Sequence, residues 1–149
     1  AFEKAIAIHP NYSEAYADVG LAYFRMNDFK SAEKNYLKST QLNPSNATAY
    51  SNLGSLYFNT QRYQQAKSSY ERTLQINPNH IDGLANYASA LGTLGDFEGA
   101  IRYFKKAITL NPNEPNYYKM VGMTYQNMGR AADAQVYFLQ AKRLQNWWI

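Results

Sequence analysis

Few residues in this sequence have the type and spacing that catalysis or metal binding requires. The two histidines, His9 and His80, lie 71 residues apart, and neither has a second histidine or an acidic cluster at ligand spacing. There is no cysteine, which excludes disulfides, thiolate metal sites and a cysteine nucleophile. The acidic residues are single and scattered, so no carboxylate pair is available for general acid–base catalysis. We therefore predict no catalytic residue, no metal site and no cofactor, and a protein that is not an enzyme.

Charge and hydropathy restrict the class of partner. The net charge is +4 over 149 residues, and the lysines and arginines are spread along the chain instead of forming a block. No apolar run reaches the roughly 18 to 20 residues that a membrane-spanning helix requires. We therefore expect neither nucleic acid binding nor membrane insertion. Because the chain starts in helical rhythm and without Met, we expect an excerpt of a longer protein; its compartment is unknown, with the cytoplasm favoured.

The elements that position the remaining polar and aromatic residues are indicated by evenly spaced prolines. Four of the five prolines recur every 34 residues, three of them directly after Asn, and only Pro115 lies off this spacing. A period of this length indicates internal repeats, in which each proline ends a helix. The periodic prolines are Pro10, Pro44, Pro78 and Pro112.

Columns of small and of large residues in the same register predict how the helices of each period pack. A small residue lets two helix axes approach, and a ring from the neighbouring helix then fills the space beside it. The small columns begin at Ala5, Gly20 and Ala32, and the large columns begin at Phe2, Tyr16 and Tyr23. The column that begins at Gly20 continues with Gly54, Ala88 and Gly122, and the ring column that begins at Phe2 continues with Tyr36, Tyr70, Phe104 and Phe138.

Each period also divides into two helical halves around a short turn, such as MNDF at 26–29 and LGDF at 94–97. We predict a left-handed residue in these turns at Asn27, Gly95 and Gly129. Ser13 or Asn46 is expected to cap the helix that follows the proline.

The columns from Tyr16 to Pro44, Y…VG..Y…A…Y…P, resemble the tetratricopeptide repeat, and the resemblance covers nearly the whole chain. It implies an all-α fold, a right-handed α-α superhelix (solenoid) of helix pairs. Four repeats fit, at 13–46, 47–80, 81–114 and 115–149, the last with a C-terminal tail. Residues 1–12 resemble the second helix of a preceding repeat.

In this family the first helix of each repeat lines a concave groove that binds peptides or partner helices. One column expected to face this groove contains Asp18, Asn52, Asn86 and Met120. An Asn amide both donates and accepts hydrogen bonds, so it can pair with a peptide backbone of any sequence. The row resembles part of the asparagine ladder in the repeat domain of O-GlcNAc transferase. The alternative is that Asn is simply frequent at this place in the repeat.

A second groove column contains Phe24, Phe58, Gly92 and Gln126. Its two rings either form an apolar platform for a partner's side chain or pad the contact between helices, and Gly92 is expected to open a shallow pocket beside Phe58. With small polar residues and the groove charges added, the predicted partner-binding residues are Asp18, Phe24, Arg25, Asn52, Ser55, Phe58, Asn59, Asn86, Ser89 and Lys119.

Two other uses of the surface are less well supported by the residues. The chaperone-binding members of the family hold a C-terminal carboxylate, but only Asn52 of the matching positions fits, and Asp82 would repel a carboxylate. The second use is phosphate binding by Lys30, Lys34 and Lys38, which recur at helical spacing on a second helix. The resemblance implies that this face is convex and solvated, which favours a role in solubility instead.

The predicted function is a non-catalytic scaffold that binds an extended peptide or helix of a partner protein, whose identity is unknown, in the concave groove. Two alternatives stay open. The chain is either the partner-selecting region of a larger enzyme, such as a glycosyltransferase, or a platform that assembles into a homo-oligomer through its apolar ends. The second alternative draws on Trp147, Trp148 and Ile149, which fold back as a cap, continue into a further segment or form a self-association patch.

Overall fold

The computed structural model describes residues 12–146, with the side chain of Asn146 excepted. The predictions for residues 1–11 and for the tail at 147–149 lie outside these residues. Throughout the described range the regular structure is α-helical, and the chain divides into two compact units. Unit 1 extends to Pro78 and unit 2 begins at Asn79.

Among the described residues, each unit contains two helical hairpins. Unit 1 contains α1 (Ser13–Arg25), α2 (Phe29–Leu42), α3 (Ala47–Asn59) and α4 (Tyr63–Ile76). Unit 2 contains α5 (Ile81–Thr93), α6 (Phe97–Leu110), α7 (Pro115–Asn127) and α8 (Ala131–Asn146). Within a unit the two helices of each hairpin pack together, the second helix of one hairpin packs on the first helix of the next, and the two first helices also touch.

The turn inside each hairpin is closed by a residue in the left-handed region, as the sequence predicts. Asn27, Gly95 and Gly129 have φ values of 62°, 91° and 75°. In each turn the following amide donates to a carbonyl five residues earlier, for example Asp96 N to Leu91 O at 2.9 Å. Gln61 also has a positive φ, 63°, which the sequence did not indicate because Gln rarely adopts this conformation.

Of the helices that follow the periodic prolines, α3, α5 and α7 are capped by a side chain, whereas α1 is not. Asn46 Oδ1 accepts from Ala49 N at 3.0 Å, which confirms that prediction. The expected cap by Ser13 is wrong, because Ser13 is already helical and its hydroxyl donates to Ser39 O at 2.8 Å. The helix α5 is capped instead by His80, whose Nδ1 accepts from Gly83 N at 2.9 Å.

The core of each hairpin is the predicted contact between a small residue and a ring. A Cβ at Gly20, Gly54 or Gly122 would lie within 2.7 Å of a ring carbon of the second helix, so only glycine fits at this helix spacing. The rings themselves are almost completely buried in three hairpins: Tyr36 is 1% exposed, Tyr70 2% and Phe104 2%.

The two hairpins of a unit are joined differently in unit 1 and unit 2. In unit 1 the Arg62 guanidinium binds both carboxylate oxygens of Glu33 on α2, at 2.8 and 3.3 Å, and lies 4.6 Å from the Tyr57 ring centre. In unit 2 the residue at the position of Glu33 is Ile101, which is buried. Arg130, at the position of Arg62, pairs with Asp133 in the first turn of α8. The junction is therefore polar in unit 1 and more apolar in unit 2.

Candidate functional site

The predicted partner-binding residues all lie on first helices of the hairpins. On α3, Asn52, Ser55 and Asn59 are spaced three and four residues apart, which places them on one side of the helix. On α5, Asn86 and Ser89 occupy the same places. Within each unit, we call the surface that carries this column the first-helix face of that unit; its repeating positions are Asp18 and Asn52 in unit 1, and Asn86 and Met120 in unit 2.

The two asparagines of this column have amides that are not used by the fold. Asn52 and Asn86 are half-buried, and within the described part of the chain neither side chain makes a hydrogen bond. A half-buried amide without a protein partner is held by water, which a peptide backbone can replace with matched donors and acceptors. Both amides therefore keep hydrogen-bond donors and acceptors that the described fold does not use, each on the face of its own unit.

Three of the small polar residues are already bound inside their own unit. Ser55 Oγ lies 3.2 Å from the hydroxyl oxygen of Tyr70, and Asn59 Nδ2 donates to Ser55 O at 2.8 Å. Ser89 Oγ donates to Ala85 O at 3.1 Å, which leaves its oxygen free to accept. These residues leave space on the face and offer hydrogen-bond acceptors to a ligand, but most of their own donors are already used.

The two rings of unit 1 pack against the ring that opens the next helix. Phe24 meets Phe29 edge-on with centroids 5.5 Å apart, and Phe58 meets Tyr63 at 5.2 Å. This contact matches the padding role that the sequence left open for them. Both phenylalanines are nevertheless only half-buried, so each keeps accessible surface on the first-helix face.

Charge on the face is sparse. Asp18 and Arg25 are exposed on α1, and Lys119 is half-buried on α7. In unit 2, burial raises the pKa of Tyr117, and the negative charges of Asp82 and Glu114 raise it further.

Unit 2 has a pocket on its first-helix face, between α5 and α7, with α6 behind it. We call it the Gly92 pocket; its volume is about 180 Å³ and no charged residue is among its described lining. It is lined by Ala88, Ser89, Gly92 and Thr93 of α5, Phe97 and Phe104 of α6, and Met120, Met123, Thr124 and Asn127 of α7.

The sequence predicted a pocket at Gly92 and a small space at Ser89, but the prediction that Phe58 borders this pocket is wrong, because its described lining comes from α5, α6 and α7 alone. Sequence reasoning also missed most of the pocket. The signal was present in Met120, which breaks the asparagine column, and in Met123, which is 50% exposed. Two methionines one turn apart on an exposed face are typical of adaptable binding surfaces. Their significance depends on the packing of α7 against α5, which no local pattern specifies.

A second depression lies on unit 1, away from the predicted site residues. Its volume is about 490 Å³, and its described lining comes from Tyr16 of α1 and from five residues of α2, among them Lys34 and Lys38. Lys30, Lys34 and Lys38 are all exposed. This basic surface is the natural comparison for any test of the first-helix face.

The described residues offer little else that could serve as a site. Between residues 12 and 146 no group of three or more His, Cys, Asp or Glu side chains is placed to hold a metal ion. In the same range, no helix combines the length and apolar character needed to cross a membrane.

Comparison with family models identifies repeats along most of the chain. Three models match: one described as Tetratricopeptide repeat over residues 45–113, one as TPR repeat over 20–61, and one as Tetratricopeptide repeat over 1–34 and 103–136. Comparison with curated protein sequences finds no match.

Solved structures with the same fold include several of MamA. The crystal structure of MamA superposes with a TM-score of 0.89 at 25% identity, covering 97% of this chain and 85% of that one. MamA AMB-1 superposes with a TM-score of 0.83 at 27% identity, covering 91% and 80%. MamA MSR-1 does so with 0.81 at 26% identity, covering 92% and 79%. These matches confirm the predicted all-α repeat fold.

Proposed function

Because the chain belongs to the tetratricopeptide repeat family, a family of protein-interaction scaffolds, we propose that it binds an extended peptide or helix of a partner protein on its first-helix face. In this proposal the protein is non-catalytic and its role is to hold the partner. The observation that carries the proposal is the pair of half-buried amides at Asn52 and Asn86, which make no hydrogen bond within the described residues.

The chemistry of the face suits a peptide backbone better than a charged ligand. Each amide can donate to a carbonyl and accept from an N–H, so one residue satisfies both polar groups of a peptide unit. The small residues Ser55 and Ser89 lie one turn further along the same helices and leave room for a backbone to approach. The neutral lining of the Gly92 pocket gives side chains of the partner an apolar place to lie.

A peptide selection followed by a binding assay tests this proposal. Random twelve-residue peptides are selected on the immobilised protein, and the enriched peptides are titrated by fluorescence anisotropy against variants. The Asn52→Ala/Asn86→Ala double variant is expected to bind about tenfold or more weakly, because the amide of whichever unit holds the peptide loses two hydrogen bonds of about 1 kcal/mol each. Alanine is the better helix former, so the variant keeps its fold, which circular dichroism verifies.

The matched control is Lys34→Ala/Lys38→Ala, two exposed residues of α2 that line the depression on unit 1. It is expected to change the affinity less than about twofold, since exposed charges contribute little. Loss of binding in the lysine variant, or unchanged binding in the asparagine variant, would overturn the assignment to the first-helix face.

Self-association is a second candidate function, favoured by one observation on α8. Val136 is 63% exposed and Leu139 47% exposed, one turn apart. The position of Leu139 corresponds to Lys105 of α6, whose Nζ lies 5.8 and 5.7 Å from the ring centres of Tyr125 and Tyr137 in the next hairpin. We propose that this face of α8 contacts another hairpin, supplied by a second copy of the chain.

Light scattering distinguishes this second candidate from the first. The parent is expected to show a concentration-dependent dimer, and Leu139→Lys, which introduces the residue type found at the matching position of α6, is expected to be monomeric. A monomeric parent at all concentrations would eliminate this candidate and leave the peptide-binding proposal unaffected.

A further inference from the structure

The repeats of unit 1 show which group fits at the position of Gly92. Phe24 and Phe58 occupy this position in their own helices, and each ring meets, edge-on, the ring five residues later. The interplanar angles are 60° for Phe24–Phe29 and 70° for Phe58–Tyr63. Edge-to-face pairs at such distances are the favoured arrangement of two aromatic rings. The chain therefore uses a phenylalanine twice to cover the start of the following helix.

In the first hairpin of unit 2, the second ring of this pair is present and the first is missing. Phe97 corresponds to Phe29 and Tyr63, but the residue five positions before it is Gly92. Phe97 is half-buried, and within the described residues no aromatic ring packs against it. A Cβ at position 92 would meet only Ala100 Cβ, at the ordinary contact distance of 3.6 Å. The space in front of Phe97 is thus left open by the missing side chain.

The size and chemistry of the Gly92 pocket match an aromatic side chain. Its volume is about 180 Å³. For scale, an engineered apolar protein cavity of roughly 150 Å³ binds benzene. Met120 and Met123 form the wall on α7, and thioethers pack well on aromatic rings and adapt to their shape. With no charge in its described lining, the pocket disfavours a charged occupant, whose desolvation would not be compensated.

We propose that the Gly92 pocket binds a phenylalanine or tyrosine side chain of the partner segment. The bound ring completes the edge-to-face pair on Phe97 as Phe58 does on Tyr63. Ser89 and Thr124 donate their own hydroxyl protons to the carbonyls of Ala85 and Met120, so their oxygens can accept from a tyrosine hydroxyl. This inference rests on the proposed function, because it names the residue with which a peptide on the first-helix face is anchored.

The probe for the pocket is N-acetyl-L-phenylalaninamide, titrated into protein with ¹³C-labelled methionine methyl groups and followed by NMR. The chain has four methionines, Met26, Met120, Met123 and Met128, and only Met120 and Met123 line the pocket. We expect saturable ring-current shifts at these two methyl groups and none at the other two. N-acetyl-L-leucinamide is expected to bind at least about threefold more weakly, because it cannot form the ring pair.

Two substitutions at one position provide the decisive comparison. Gly92→Phe places the chain's own ring where Phe24 and Phe58 stand, and we expect it to weaken binding of the probe at least about tenfold. Gly92→Ala adds only a Cβ, and we expect it to bind within about twofold of the parent. A shift of the Met120 and Met123 methyl resonances in free Gly92→Phe, together with an unchanged circular dichroism spectrum, verifies that the new ring lies in the pocket.

Three results would overturn the inference: equal shifts at all four methionines, unchanged binding in Gly92→Phe, or leucinamide binding as tightly as phenylalaninamide. The peptide selection separates this inference from the proposed function. Enriched peptides that need Asn86 but bind Gly92→Phe normally would refute the aromatic anchor and leave the first-helix face in place. Saturable binding of the probe with no peptide bound on that face would refute the proposed function alone.

Discussion

Unit 1 and unit 2 are built on the same repeat but differ at three corresponding places. The buried ring of the hairpin is Tyr36 or Tyr70 in unit 1, whereas unit 2 has Phe104 at the corresponding position. The junction between hairpins is the Glu33–Arg62 ion pair in unit 1 and contains buried Ile101 in unit 2. The position five residues before the start of the second helix is a phenylalanine in both hairpins of unit 1 and Gly92 in the first hairpin of unit 2.

These differences teach which parts of the repeat are structural and which are free to vary. The pairing of a small residue with a ring is retained in both units because it sets the distance between helices. The residues on the first-helix face are not fixed by that distance. At corresponding positions, α3 therefore carries an amide and a ring, whereas α7 carries Met120 and Gln126. A polar face and an apolar pocket can therefore occur on one framework.

The largest expected effect comes from placing a side chain between packed helices. Gly54→Leu would drive its Cβ to within 2.6 Å of Tyr70, so we expect the free energy of unfolding to fall by about 3 kcal/mol. In the matched variant Gly92→Leu the new side chain extends into the pocket, and the free energy of unfolding is expected to change by less than about 1 kcal/mol. Urea denaturation of both variants measures the difference, and equal losses would contradict the packing described for the two glycines.

The junctions between hairpins should respond differently to truncation and to salt. Ile101→Ala is expected to lower the free energy of unfolding by about 2–3 kcal/mol, because Ile101 is 6% exposed and leaves a cavity. Glu33→Ala should cost about 1 kcal/mol, since the ion pair is partly solvated. Raising the salt concentration to about 1 M should shrink only the Glu33 effect, because salt screens exposed charges. An Ile101 effect that shrinks in parallel would refute this contrast.

The buried tyrosines of unit 1 predict instability in alkali. Burial raises the pKa of Tyr36 to about 12 against the opposing charge of Arg25, and burial also raises the pKa of Tyr70. Because the folded pKa lies above the unfolded value of about 10, this stability is complete below about pH 10 and is lost as the pH rises towards 12.

The Tyr36→Phe/Tyr70→Phe variant tests this pH dependence. It gives unit 1 the phenylalanine that unit 2 has at the corresponding position, Phe104. We expect the parent to lose about 1–2 kcal/mol more than the variant between pH 9 and pH 11.5, as measured by urea denaturation. Parallel stability curves for the two proteins would show that these phenols are not the source of alkaline unfolding.

The smallest expected effect is a gain. Gly92→Ala should raise the free energy of unfolding by about 0.5–1 kcal/mol, because alanine is the better helix former and its Cβ has room. Thermal unfolding followed by circular dichroism measures the gain, with the parent as reference. A loss of stability would mean that the space at Gly92 is smaller than the pocket requires.

The fold was largely predictable from the sequence, because its determinants are local and recur. The 34-residue spacing of proline, the small residues and the rings predicted helix pairs, and the left-handed positions at Asn27, Gly95 and Gly129 follow from residue type. The positive φ of Gln61 was missed because glutamine rarely adopts this conformation. The role of Ser13 was predicted wrongly because its hydroxyl bonds to Ser39 O on another helix, a contact that the residue type does not indicate.

The candidate site was less predictable, because it depends on what neighbouring helices leave uncovered. The resemblance to the family placed Asn52 and Asn86 on first helices, but only the structure shows that their amides are not used by the described fold. The glycine at position 92 indicated a space, yet the walls at Met120, Met123 and Phe97 come from two other helices. Residues distant in sequence form this pocket, and a single sequence does not pair them.

The most direct test of the first-helix face is to locate a bound peptide by paramagnetic relaxation enhancement. A nitroxide is attached to the end of a selected peptide, and broadening of the backbone amide resonances is mapped on the complex. We predict broadening along α1, α3, α5 or α7, centred near Asn52 or Asn86. Broadening centred on the exposed lysines of α2, with the first helices unaffected, would contradict the account.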